Sequence, residues 1–423
     1  MKMKKIFTAI ALAILISGWF SAPAFAQEQE KEISVLVDGL PVAFDVQPVI
    51  RDGRTLVPFR SIAEILNIAV TWDNSTQTVS ASGRYTDIRL QIGNNTAHLN
   101  NAPIFLDVPP VIQNGRTLIP LRFFSEAFGC KVDWDSSING ARIISPRREM
   151  TVIGFYALGD RQTSSWTDLF GKVFPETAAT GNTDAVGELA LGWYSLDKQG
   201  NLLTASKQNW VRPDSWQTVL AAAGKHGLKT EMVVQLTDGE DIISSLLVNE
   251  AAMTKAVSFI MQEAKLYGGV NLDFEGLGYQ VDEKQLPAVQ ENFSRFALLL
   301  SQKLRPAGKT LTLTIHPPNS VYKGYDYRSL GKAADKIIIM AYDYGSKPEP
   351  ADLVNQAVEM AKSAVPPEKL ILGISAPSET PESIIAKIGI AKKHKLNGIA
   401  LWRLGVISDR MWESLRSSVK PNR

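Results

Sequence analysis

Cysteine is almost absent: Cys130 is the single one in 423 residues. That excludes an internal disulfide and any multi-cysteine metal cluster. Histidine is nearly as scarce, at four, so imidazole-rich metal sites have few places to form. Neither charge sign dominates, with 45 Lys plus Arg against 43 Asp plus Glu; such a balance gives no argument for nucleic acid or anionic membrane as partner. Long apolar runs are missing everywhere except at the start. There Lys2, Lys4 and Lys5 precede an apolar stretch from Ile6 to about Phe20, followed by Ala24-Phe25-Ala26. This pattern reads as a secretory signal over residues 1–26, too short in its apolar part for a spanning helix. Losing those three lysines takes the formal charge from +2 to −1. Export without disulfides fits a bacterial chain better than a eukaryotic secretory one. The expected destination is secreted or cell-wall associated, with no membrane span after signal removal.

What is present first is a repeat. Val49-Ile50-Arg51-Asp52-Gly53-Arg54-Thr55-Leu56-Val57-Pro58-Phe59-Arg60 recurs as Val111-Ile112-Gln113-Asn114-Gly115-Arg116-Thr117-Leu118-Ile119-Pro120-Leu121-Arg122. Asp-Gly and Asn-Gly before a strand are turn signals, because glycine accepts positive φ. Each copy runs into an amphipathic helix, expected over 61–66 and 123–128, and then into a strand ending at Trp72-Asp73 or Trp134-Asp135. Residues 27–148 are therefore expected to form a small duplicated α+β stalk domain.

After Pro146-Arg147-Arg148 the texture changes to short apolar runs separated by helical stretches. Strands are expected over 151–157, 189–195, 229–236, 268–275, 310–316, 336–342, 369–375 and 398–404. Helices are expected between most of them, including 214–226, 250–266, 286–304, 351–364 and 381–394. Eight alternations over residues 149–423 predict an α/β fold, a (β/α)8 TIM barrel.

The most telling segment is Gly268-Gly-Val-Asn-Leu-Asp-Phe-Glu275. Its period-two alternation puts Asn271, Asp273 and Glu275 on one strand face and Val270, Leu272 and Phe274 on the other. Two carboxylates are costly on a buried strand, several kcal/mol if unpaired. At the C-terminal end of a barrel strand, where such barrels build active sites, Glu275 is the leading candidate for chemistry.

These residues resemble a known family. The octapeptide is similar to the fourth-strand signature Asp-Gly-x-Asp-x-Asp-x-Glu of glycoside hydrolase family 18, the group of chitinases and of N-acetylglucosaminidases acting on peptidoglycan or spore cortex. Met340-Ala341-Tyr342-Asp343 matches its Met-x-Tyr-Asp, and Trp402 in Gly398-Ile-Ala-Leu-Trp402 matches an eighth-strand tryptophan. The resemblance covers about residues 150–406. It implies a retaining, substrate-assisted hydrolysis of β-1,4 bonds after N-acetylglucosamine, without metal or organic cofactor. In that scheme Glu275 is the acid and base, Asp273 orients the acetamido group and Tyr342 holds its oxygen. Asn271, Met340, Asp343, Trp402 and Tyr156 are expected to contact substrate. Two signature acids are missing, with Gly268 and Asn271 in their places; Asn271 is expected to hydrogen-bond Asp273. The segments joining the sixth, seventh and eighth strands are too short for an added subdomain, which suggests an open, shallow groove suited to endo cleavage or to a bulky peptide-decorated glycan. Residues 33–145 resemble the copper amine oxidase N-terminal-like domain of exported bacterial proteins. With His98 as its lone histidine, that segment is read as a spacer or wall-associating module rather than a copper site.

The other residues leave two readings open. His316 either lines the barrel mouth or serves as a structural hydrogen-bonder. Tyr156, Trp193, Tyr194 and Gln235 either shape sugar subsites or, for the aromatics, belong to the core. Trp166, Trp210 and Trp216 would suit a polysaccharide groove if exposed. Arg147-Arg148 and Lys392-Lys393-His394-Lys395 are expected on the solvated surface. The rival to hydrolysis is a non-catalytic, lectin-like wall protein. The expected partner in either case is a peptidoglycan-like or chitin-like glycan.

Overall fold

The computed structural model describes residues 32–156, 163–174, 176–205 and 211–423. The segment expected to be a signal, Ala157 and Trp210 lie outside the described residues. Residues 33–423 form one compact unit, and among the described residues no helix is long and apolar enough to cross a membrane.

The repeat folds as two copies facing each other. Hairpins made by Val49–Arg51 with Arg54–Pro58 and by Val111–Gln113 with Arg116–Pro120 turn at Asp52-Gly53 and Asn114-Gly115. All four turn residues have positive φ, between 49° and 73°, as a two-residue hairpin turn requires. The hairpins join antiparallel through Leu118↔Pro58, Ile119↔Val57 and Pro120↔Leu56. Val57 and Ile119 are equivalent residues of the two copies, so an approximate two-fold axis passes between them. Helices Phe59–Ile65 and Leu121–Ala127 follow directly. They begin two residues earlier than expected, because Pro58 and Pro120 occupy the position just outside the helix. Ile62 and Phe124 pack with Val57 and Ile119 into one core.

Eight parallel strands then close on themselves: Arg148–Tyr156, Glu188–Leu196, Lys229–Thr237, Gly269–Glu275, Thr310–Ile315, Lys336–Ile339, Leu370–Ser375 and Gly398–Trp402. The last pairs with the first through Thr151↔Gly398 to Gly154↔Leu401. Helices such as Glu250–Glu263, Leu286–Leu304 and Pro381–Lys393 cover the outside. Asn249 caps the first of these by accepting from the Ala252 N–H, and Thr380 with Ser383 forms a capping box on the third. Alternate residues of each strand serve two different cores. Val270, Leu272 and Phe274 pack outward under the helices, whereas Ile153, Phe155, Val233, Ile338 and Ile371 fill the lumen.

Three expectations are corrected. The sixth strand stops at Ile339, because the Ala341 and Tyr342 N–H groups donate to Ile339 and Met340 two residues back instead of to a neighbouring strand. Tyr156 does not face the lumen: its neighbour Phe155 takes that side, and Tyr156 is fully buried edge-to-face against Trp193, 6.3 Å between centroids. Nor is the whole 392–395 cluster a solvated face, although Lys395 is exposed. Lys392 is buried and reaches Ser145 Oγ at 2.9 Å and Asp38 Oδ2 at 3.5 Å, and Asn67 donates to its carbonyl at 3.1 Å. His394 is likewise buried, its Nε2 2.8 Å from Asn355 Oδ1. Arg147, from the other basic pair, donates to the Val419 carbonyl at 3.1 Å. Through Lys392 the repeat and the barrel pack directly on each other.

Candidate active site

The fourth strand carries Asn271, Asp273 and Glu275 up the lumen in order. Asp273 is 3% exposed, and its Oδ1 has no hydrogen-bond partner. Burial, and then the nearby Glu275 charge, pushes its carboxyl well above the usual carboxylate range. Glu275, at the strand end, accepts a hydrogen bond from Gln235 Nε2 at 3.3 Å. Its carboxyl is raised too, by burial and by Asp343, against the lowering effect of Gln235. A carboxyl raised in this way keeps its proton closer to neutral pH and suits an acid that later acts as a base.

The backbone after Glu275 is fixed by a residue that sequence reasoning passed over. Tyr325 donates its hydroxyl to the Phe274 carbonyl at 2.7 Å and accepts from the Leu277 N–H at 3.3 Å. Phe274 itself stacks between Phe293 and Phe296, at 5.7 and 5.8 Å. The carboxylate therefore stands on a strand clamped from the outside.

Asn271 makes different contacts from those expected. Its Oδ1 accepts from Thr314 Oγ1 at 2.8 Å, and its Nδ2 lies 3.5 Å from Glu231 Oε2. It is fully buried, which makes it a support beneath Asp273 rather than a surface for ligand. Below it is a polar layer that gave no sequence signal. Lys336 Nζ pairs with Glu188 and, at 2.9 Å, with Glu231 Oε1, which also accepts from Thr312 Oγ1 at 2.6 Å.

Tyr342 is half-buried beyond the sixth strand. Burial, then Asp273 and Glu275, raises its phenol well above the usual range, so it remains a neutral donor. Gly373 makes room for it: a Cβ there would stand 3.2 Å from Tyr342 Cε1 and 2.8 Å from the Ile339 carbonyl oxygen. Asp343 follows in the left-handed region at φ 64°. This unfavourable conformation for a non-glycine residue is held by Glu349, whose two carboxylate oxygens accept from the Asp343 and Tyr344 N–H groups at 3.1 and 3.0 Å. The buried Lys387 ammonium donates to the Glu349 carbonyl at 2.6 Å. Glu349 lies between Pro348 and Pro350, and those two prolines were the only sequence sign of an ordered corner.

Trp402 ends the eighth strand half-buried, edge-on to Phe155 at 5.4 Å. Met340 is buried at the end of the sixth. His316 stacks on Tyr322 at 4.0 Å, and burial lowers its imidazole to about 4, leaving it neutral. Trp166, Trp193 and Tyr194 are core residues, with Tyr194 O–H within 2.7 Å of the Tyr267 hydroxyl. Trp216 is half-buried against the same core.

Residues 36–143 match the family described as copper amine oxidase N-terminal domain, and residues 225–378 match glycosyl hydrolases family 18. A cortical fragment-lytic enzyme of Bacillus anthracis is 29% identical over 147 residues, 31% of this chain and 32% of the relative. The chain thus matches about a third of that relative's length. A cortical fragment-lytic enzyme of Bacillus subtilis is 23% identical over 142 residues, 30% of this chain and 31% of its own length. Among solved structures, a chitinase from Chromobacterium violaceum superposes with a TM-score of 0.53 at 18% identity, covering 63% of this chain and 98% of its own. The spore cortex-lytic enzyme SleL of Bacillus megaterium gives 0.53 at 17%, covering 75% and 80%. At these identities the structural likeness is one of fold.

Proposed function

We propose that this chain, which carries a glycosyl hydrolase family 18 domain, is an exported glycosidase that cleaves β-1,4 bonds after N-acetylglucosamine. The observation that carries the reading is the stacking of Asp273 and Glu275 up one lumen face, both raised above the ordinary carboxylate range, with the neutral Tyr342 phenol close enough to feel both charges. Protonated Glu275 donates to the glycosidic oxygen while the substrate's own acetamido oxygen attacks the anomeric carbon from the opposite face. The leaving sugar departs with the proton and a cyclic oxazolinium ion remains. Asp273 faces the acetamido N–H; the positive charge developing on the ion lowers its raised carboxyl and favours release of its proton. The resulting carboxylate accepts from that N–H and stabilises the ion in a water-poor lumen. Tyr342 donates to the acetamido oxygen and aligns it for attack. Glu275, now ionised, takes a proton from water, whose oxygen opens the ring with retention of configuration. Trp402 offers a flat apolar face to the sugar C–H groups, and Asp343 contacts the same sugar.

Peptidoglycan is the first substrate and chitin-type oligosaccharide the second, an order supported by relatives named for lysis of spore cortex. The short connections between the sixth, seventh and eighth strands favour endo cleavage of a bulky glycan. The amino-terminal 26 residues would direct export.

The test is product release from purified peptidoglycan and from chitin oligomers by the chain and by Glu275→Gln. Cleavage that falls by about a hundredfold or more in the variant is expected. Equal binding by both proteins with no cleavage by either would favour the lectin-like rival, which then has to account for the intact pair Asp273 and Glu275.

A further inference from the structure

The duplicated half contains two grooves that the proposed catalytic reading does not use. One has a volume of about 880 Å³ and the other about 870 Å³, within the ~300–1,000 Å³ range of small-ligand sites. They are built alike. In the first, the Ile50–Arg54 hairpin of copy one meets Pro120, Arg122, Glu126 and Trp134 of copy two. In the second, the Ile112–Arg116 hairpin of copy two meets Pro58, Arg60, Glu64 and Trp72 of copy one. An ion pair crosses between the copies at each: Arg54 with Asp107 at 2.6 Å, and Arg116 with Asp45. The approximate two-fold between Val57 and Ile119 therefore generates two equivalent clefts, each completed by both copies.

We propose that these grooves are a bivalent binding site for a β-linked N-acetylhexosamine glycan. The choice of that sugar rests on the glycosidase reading of the barrel. Four observations carry the rest. Trp134 is 44% exposed and Trp72 half-buried, each in its groove. An indole face in a groove stacks on the apolar C–H face of a pyranose. The ion pairs keep 55% of the arginine and 62% or 52% of the aspartate side chain exposed, so donors and acceptors remain for hydroxyl and acetamido groups. Charges nearly cancel in each groove: Arg54 and Arg122 stand against Asp107, Glu126 and Asp133 in one, Arg60 and Arg116 against Asp45 and Glu64 in the other. That balance disfavours a phosphate-rich polyanion. Finally, a repetitive polymer is the kind of ligand that two like sites on one body engage together, with avidity far above either site alone. Asp38, Asn67 and Ser145, which hold the barrel, line neither groove. Phe105, 76% exposed in the first groove, has only Ala43 as its equivalent in the second, so the first is the stronger site.

The experiment is cosedimentation of the full chain carrying Glu275→Gln, which cannot consume its ligand, with insoluble peptidoglycan and with chitin. Adding Trp134→Ala lowers retention by about tenfold or more, Trp72→Ala by less, and the pair leaves only the single-site retention of the barrel, which Trp402→Ala then removes. Trp134→Phe keeps the flat face and restores most of the retention, which separates lost stacking from lost folding. Unchanged retention in the double variant overturns the proposal whether or not the chain with Glu275 intact hydrolyses glycan. So does retention on phosphocellulose alone. Retention that depends on the two tryptophans sustains it even if hydrolysis is never seen.

Discussion

Replacing Lys336 by methionine tests the charge layer on which the site rests. Lys336 Nζ stands between Glu188 and Glu231 inside the barrel, 2.9 Å from the Glu231 oxygen, with all three side chains no more than 12% exposed. Methionine fills nearly the same volume, so a cavity contributes little. What remains is two carboxylates in the lumen without their cation, and breaking a buried pair in this way costs about 3–5 kcal/mol. The chain can soften that cost only by protonating one of them, which makes the cost depend on pH. Glu231 is already raised by burial, and Lys336 is the main influence holding it down; without the ammonium it rises further. A carboxyl raised in the folded state retains a proton that the unfolded chain has released above ~4.3. Stability is then lost as pH increases toward the folded-state value. Urea unfolding at pH 5 and pH 8 should therefore show a larger deficit at pH 8, near 3–5 kcal/mol. Adding Glu231→Gln should recover more than half of it. A deficit below about 1 kcal/mol at pH 8, or one equal at both pH values, would refute the charge argument.

Asp273→Asn should remove a buried charge that has no partner on Oδ1. Because the folded carboxyl is raised, wild-type stability declines as pH rises above the unfolded value, so the variant's stability relative to wild type should increase from pH 4 to pH 8. Activity on chitin oligomers should fall by about a hundredfold or more, and a variant that is active but no more stable would sink the assignment. Glu349→Ala frees the Asp343 and Tyr344 N–H groups; kcat/KM should drop by about tenfold to a hundredfold as Tyr342 and Asp343 lose alignment. Unchanged kinetics with an unchanged urea midpoint would show that the corner holds itself.

Much of the scaffold was legible because its signals are local. Asp52-Gly53 and Asn114-Gly115 announce turns through the one residue that takes positive φ freely, and the fourth strand announces its two faces by strict alternation. Where adjacent residues are both aromatic, alternation does not choose between them. Phe155 and Tyr156 differ by one step of parity, and the choice falls to register with the eighth strand. Burial of Lys392 was hidden for another reason. Three basic residues around a histidine on a helix look solvated until a second body, holding Asp38 and Ser145, is brought against them. Glu188, Glu231 and Lys336 lie about 40 to 100 residues apart at strand starts. Each reads as an ordinary solvated end, and only barrel closure puts them in one layer.

That layer gives a physical reason for the fourth strand's departure from the family signature. A carboxylate at position 271 would bring an oxygen to about 3.5 Å from Glu231 Oε2, where the amide nitrogen now stands. Like charges that close inside a barrel raise each other's pKa, and one would have to take up a proton. The amide avoids this by offering opposite faces to its two neighbours. Its nitrogen points down to Glu231, and its oxygen accepts from Thr314. Asp273 above it is thereby left without a donor from below, which is consistent with its bare Oδ1 and its raised carboxyl. The family signature that this strand resembles has an acid at the position of Asn271. Here a neutral spacer stands at that position, and the ionic groups lie one layer down at Glu231 and Lys336. The spacer and the ion pair form one arrangement: Asn271→Asp should lower stability in urea unfolding, more at pH 8 than at pH 5, and adding Glu231→Gln should recover part of the loss.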